Sequence, residues 1–96
     1  MVTVKILGLQ YPERYAIRRL VAAAQQALLL EGKHLELDIV EITDSREIGK
    51  YAFVLILPTL VINEKVVCSG RFPSKAEVIG WLLDGAKEEI TTTSLA

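Results

Sequence analysis

Pro58-Thr59-Leu60-Val61-Ile62-Asn63-Glu64-Lys65-Val66-Val67-Cys68-Ser69 reads as a β-hairpin opened by a proline, and this stretch decides the fold. Proline has no N–H to give to a sheet ladder, so Pro58 belongs at the start of a strand, here Thr59-Leu60-Val61-Ile62. Asn63-Glu64 then supplies a tight turn into a second strand, Val66-Val67-Cys68-Ser69. Strands joined in this way run antiparallel.

Working outward, Ser74 followed three residues later by Glu77 forms a capping box, and Val78, Ile79, Leu82, Leu83 and Ala86 make the apolar face of a last helix. Residues 91–96 read as a frayed tail. On the other side of the hairpin, Asp44 caps a short helix running to about Tyr51, weakened by Gly49. His34 to Ile42 alternates as a strand, with Leu35, Leu37 and Ile39 opposite Glu36 and Asp38, and Val40 and Ile42 completing the apolar side. Its early charges suit a sheet edge. Val2 to Leu7 is the first strand. The helix after it, over residues 12–31, repeats Ile17, Leu20, Val21, Ala24 and Leu28 on one face, with Arg14, Arg18, Gln25 and Gln26 largely on the other. Pro12 suits its first turn, and Gly32 its end.

The order is therefore β-α-β-α-β-β-α. A helical crossover makes the first two strands parallel while the hairpin is antiparallel, giving an α/β three-layer sandwich around a mixed four-stranded sheet. Ninety-six residues make one domain, without repeat or linker.

Composition narrows the function classes. The chain has a formal net charge of -1 and no basic stripe, which speaks against nucleic acid as a partner. The longest apolar run, 52–62, contains Pro58 and is shorter than the roughly 20 residues of a membrane helix, so no membrane span is expected. A single cysteine, Cys68, excludes an intramolecular disulfide, and no signal-peptide pattern precedes the first strand; a cytoplasmic location is expected. No Walker or dinucleotide motif occurs, and His34 has no partner at metal-ligand spacing, so neither cofactor nor metal is expected.

The element order and the proline-opened third strand resemble the thioredoxin-like fold. Lys5-Ile6-Leu7-Gly8, Pro58 to Asn63, Lys65-Val66-Val67, Ser69-Gly70-Arg71 and Pro73-Ser74 are similar, more narrowly, to the small glutaredoxin-like proteins sometimes called redox-active disulfide proteins. The resemblance spans about residues 2 to 85. In that family a Cys-x-x-Cys pair follows the first strand and a cis proline faces it. The resemblance implies that Tyr11 and Arg14 stand at the two cysteine positions, with Pro12 between them, and that Leu57-Pro58 is cis. Neither side chain can carry out thiol-disulfide exchange, which needs a thiolate attacking sulfur. The segment Phe53 to Leu57 is wholly apolar where family members tend to place a small polar residue before the proline.

Two functions from different classes follow. In the first, the chain is a non-catalytic module that binds a protein partner or a second copy of itself through Tyr11, Pro12, Arg14, Ile56, Leu57 and Pro58, with Phe72 nearby. Tyr and Arg are enriched at interface hot spots. A decayed site holding tolerated residues would read the same. In the second, Cys68 is a lone redox or glutathione-linked thiol, with Lys65 and Arg71 close in sequence to favour the thiolate. Against that, free cysteine usually behaves as a small apolar filler. Glu36, Asp38, Glu41, Asp44 and Glu47 read as ordinary surface charge, and Trp81 as a core or boundary residue.

Overall fold

The computed structural model describes residues 1–50 and 57–95, with side chains through Lys87. The elements are β1 (Val2–Leu7), α1 (Tyr11–Leu30), β2 (Leu37–Ile42), α2 (Ser45–Gly49), β3 (Thr59–Ile62), β4 (Lys65–Ser69) and α3 (Lys75–Leu95). They stand in the expected order. The sheet runs β2-β1-β3-β4, with β1 parallel to β2 and antiparallel to β3, and β3 antiparallel to β4.

Local chemistry sets the element ends. Pro occupies the first turn of α1, where its missing N–H costs nothing. At the other end Gly32 takes φ +80°, and the N–H groups of Gly32 and Lys33 bond to the carbonyls of Leu29 and Leu28, a Schellman stop. Asp44 caps α2 by accepting from the Arg46 N–H at 2.8 Å. Asn63 and Glu64 both have positive φ, 49° and 67°, as a two-residue hairpin turn matched to strand twist requires. β4 carries one extra residue between the Leu60–Cys68 and Val61–Val66 pairs, a bulge that roughens an edge strand.

The alternation of β1 divides the core into two layers. Val2, Val4 and Ile6 face the α1 and α3 side, packing with Ile17, Val21, Ala24, Leu28, Leu60, Val78 and Leu82. Leu7 faces the opposite side with Val61, where Ile48 anchors α2. Three layers result, helices α1 and α3 on one face and α2 on the other.

Several expectations are corrected. β2 starts at Leu37 rather than His34, because β1 offers its first partner only at Val2, which pairs with Leu37. Residues 35 and 36 instead give their carbonyls to Gln25 and to the Val2 N–H. Val40 and Ile42 do not complete the face of Leu37 and Ile39: Ile42 packs against the Leu7 cluster on the other face, and Val40 is exposed. Strict alternation puts Glu41, not Val40, beside Ile39. Helix α3 continues through residues 91–95, the stretch expected as a tail. The expected end of α2 near Tyr51 lies outside the described residues.

The capping box is present in full. The Glu77 N–H donates to Ser74 Oγ at 3.1 Å, and the Ser74 N–H donates to Glu77 Oε1 at 3.0 Å. Arg71 adds two hydrogen bonds to the same carboxylate, at 2.9 and 2.6 Å. The Arg71 side chain, first, and the Ser74 N–H, second, hold the Glu77 carboxyl at about 2, below its usual 4.5. A carboxyl lowered in the folded state stabilises fully above its unfolded value, and this contribution is lost as pH falls through the folded value. The urea midpoint is therefore expected to drop between about pH 4.5 and 2, with a component absent from Glu77→Gln. Because the pair is exposed, that component should shrink at high salt. An unchanged acid profile in Glu77→Gln would show that the pair contributes nothing.

Candidate functional site

The pairing of Leu7 with Thr59 brings the end of β1 beside the start of β3, so the turn after β1 and Pro58 share one end of the sheet. The Leu57–Pro58 peptide bond is cis. Pro58 is buried, and its carbonyl accepts the Gly70 N–H at 2.9 Å, which brings the β4–α3 loop to the same end. β1 and β2 run parallel, so β2 also finishes there.

Tyr11 is 62% exposed at the start of α1, and Leu9 and Phe72 are exposed in the turn and the loop at this end. Tyr11 stacks with Tyr15 one helical turn on, ring centroids 5.9 Å apart and planes 25° from parallel. The Arg14 guanidinium lies 5.8 Å from the Tyr11 centroid, and that of Arg19 lies 5.9 Å from the Tyr15 centroid. Exposed aromatic rings between guanidinium groups are well made for contact, with large rigid surfaces and little rotamer freedom to lose.

Arg14 does not stand on the wet face of α1, where the sequence reading put it. Its side chain is only 12% exposed. Nε donates to Glu41 Oε1 at 3.1 Å and an Nη donates to the Gly8 carbonyl at 3.0 Å. Arg18 reaches the other oxygen of Glu41 at 2.7 Å. A Cβ on Gly8 would come within 3.1 Å of Arg14 Cγ, so the glycine leaves room for the arginine stem. Arg14 thus ties the end of β1 to the end of β2, and Tyr11 is the group left facing outward. The helix dipole disfavours a cation in its first turn, and Glu41 offsets that charge from the neighbouring strand.

Sequence reasoning passed over Tyr15 and Arg19 and took Glu41 for ordinary surface charge. A signal for Arg14 was present: positions 14, 17, 21, 24 and 28 form one helical stripe, and the last four are buried. Glu41 follows from alternation with Leu37 and Ile39. Tyr15 and Arg19 lie four and eight residues beyond Tyr11, on the same outward face.

Leu57 is half-buried and packs against the cluster of Leu7, Ile48 and Val61, so it belongs partly to the core. Ile56 lies outside the described residues. Cys68 is buried in the α1/α3 layer, paired across from Leu60, and its thiol donates to the Arg71 carbonyl at 3.4 Å. Burial pushes the Cys68 thiol up; the Arg71 charge opposes this and that of Glu77 adds to it. The thiolate needed for exchange is thereby disfavoured. His34 is exposed, and Trp81 is half-buried against the core, lining a small cavity with Ile62, Lys65, Val67, Asp84 and Gly85. Among the described residues no three His, Cys, Asp or Glu side chains gather to hold a metal ion, and no helix is long and apolar enough to cross a membrane.

A protein-family model described as a thioredoxin domain matches residues 2–83. No curated protein matches the chain closely.

Proposed function

The chain belongs to the thioredoxin domain family, and from that premise we propose that it is a non-catalytic binding module, acting on a protein partner or a second copy of itself through the sheet end that carries Tyr11. The observation that carries this reading is the division of labour at the turn after β1. At the two positions where the resemblance expects thiols, Arg14 is tied down and Tyr11 projects outward. The contact surface consists of Tyr11, Pro12, Leu9 and Phe72, with Pro58 and part of Leu57 beneath. Arg14 positions the turn rather than touching the partner, and Ile56 belongs to the same proposal through its place in the chain. Cys68, the chain's only thiol, is core packing in this reading; its burial, which raises the thiol pKa against the opposing charge of Arg71, favours this over the alternative of a monothiol redox protein.

Tyr11→Asp and Phe72→Asp place charge on the exposed surface without disturbing the core, whereas a charge at Leu57 would also break the Leu7 cluster. Each exposed variant is expected to keep its urea midpoint while losing self-association in sedimentation or capture of a partner, by at least about tenfold in affinity. Unaltered association in both variants, with capture also unaltered, would remove the proposal.

A further inference from the structure

The outward side of α1 has a charge that the chain as a whole lacks. Arg18 and Arg19 are exposed on the first turns of α1, with Arg14 tucked in at the edge of this side, while the carboxylates near them are Glu13 on the helix and Glu41 facing it from β2. This face is net positive, although the chain carries a formal -1. Arg14 and Arg18 divide one carboxylate between them. Arg18 remains half exposed, and among the described residues no carboxylate pairs with Arg19, whose guanidinium is held over the Tyr15 ring. Asp38 does not neutralise the face, because alternation turns it to the other side of the sheet from Glu41.

Resting on the binding reading above, we infer that this face docks an acidic segment of a partner protein, whose carboxylates meet Arg18 and Arg19 while an apolar residue lies against Tyr11 and Tyr15. Charge complementarity selects this occupant: the Arg19 guanidinium, ordered over the Tyr15 ring, offers its donors to carboxylate oxygens, and half-exposed Arg18 has donors beyond the one it gives to Glu41. The stacked tyrosines supply the apolar anchor. A nucleic acid fits less well, because the chain carries a formal -1 and two exposed guanidinium groups make no stripe along which a phosphate backbone could run.

The test titrates the full chain into labelled peptides of repeating Glu-Leu and repeating Lys-Leu, and into labelled oligothymidylate. The Glu-Leu peptide is expected to bind best, more weakly as salt rises, with affinity falling at least about tenfold in Arg18→Glu/Arg19→Glu, which should in turn favour Lys-Leu. Arg18→Gln/Arg19→Gln guards against misfolding: it removes the charge without repelling Glu41 and should also lose the preference. Equal binding of the two peptides, no binding of Glu-Leu, or tighter binding of thymidylate overturns the inference. If partner capture or self-association is lost in Tyr11→Asp but intact in the charge-reversed variant, the binding module stands and the acidic partner falls. If neither variant alters association, both fall.

Discussion

Asn63→Ala is expected to destabilise the protein by about 3 kcal/mol in urea unfolding, from a turn residue far from the candidate site. Asn63 Oδ1 accepts the Thr3 N–H at 3.0 Å, and Nδ2 donates to the Gly85 carbonyl at 3.1 Å, so one side chain fastens the hairpin to both β1 and α3. Its own N–H donates to the Thr3 carbonyl at 2.9 Å. Alanine leaves the part-buried Thr3 amide without this partner, at about 1–3 kcal/mol for an unsatisfied donor, and removes from the Gly85 carbonyl, which lies in the interior of α3, the bond that ties that helix to the hairpin. It must also adopt φ 49°, which costs a non-glycine residue without a local hydrogen bond roughly 1 kcal/mol. Asn63→Gly separates the effects: it tolerates the turn but keeps the hydrogen-bond loss, and should recover about 1 kcal/mol of the deficit. Gly85 has no room to compensate, since a Cβ there would lie 3.2 Å from Asn63, Ile62 and Val2 side chains. A loss below about 0.5 kcal/mol for alanine would mean that this fastening is of no energetic consequence.

Leu7→Ala is expected to cost about 2–5 kcal/mol, the range for truncating a fully buried leucine. Leu7 has no exposed surface and, with Val61, holds Ile48 and Leu57 on the α2 face. The damage should be local in character. The Ile48 amide, which donates to the Asp44 carbonyl, should lose hydrogen-exchange protection more than amides of α1, which packs on the opposite layer. Leu9→Ala, two residues on and exposed, should change stability by no more than about 0.5 kcal/mol. Comparable losses at the two leucines would contradict the two-layer core.

Both predictions depend on features of different visibility in the sequence. The hairpin, the Gly32 stop and the Ser74–Glu77 box were legible because each is decided within a few residues: a missing N–H, a positive φ, two side chains three apart. The layers of β1 were legible in part, since alternation separates Ile6 from Leu7 but does not say that Leu7 has a core of its own. What local pattern could not give was register. Arg14 meets Glu41 because the parallel pairing sets Ile6 against Glu41, and nothing near residue 14 specifies that pairing. Reading Arg14 as a surface charge followed from its residue type and overlooked its place in the buried stripe. The apolar character of Leu57 was plain, but which side of the chain it would pack against was not. Burial of Cys68 matches the ordinary behaviour of a lone cysteine on a strand whose neighbour Leu60 is in the core.

The proposed role of this thioredoxin-family chain is contact through Tyr11 and not exchange at its single thiol. It is tested most directly by measuring association of Cys68→Ser and Tyr11→Asp beside the parent protein in one experiment, by sedimentation and by partner capture under reducing and non-reducing conditions. The expected result is that Cys68→Ser associates as the parent does in both conditions while Tyr11→Asp does not. Loss of association in Cys68→Ser, with Tyr11→Asp unaffected, would contradict the claim.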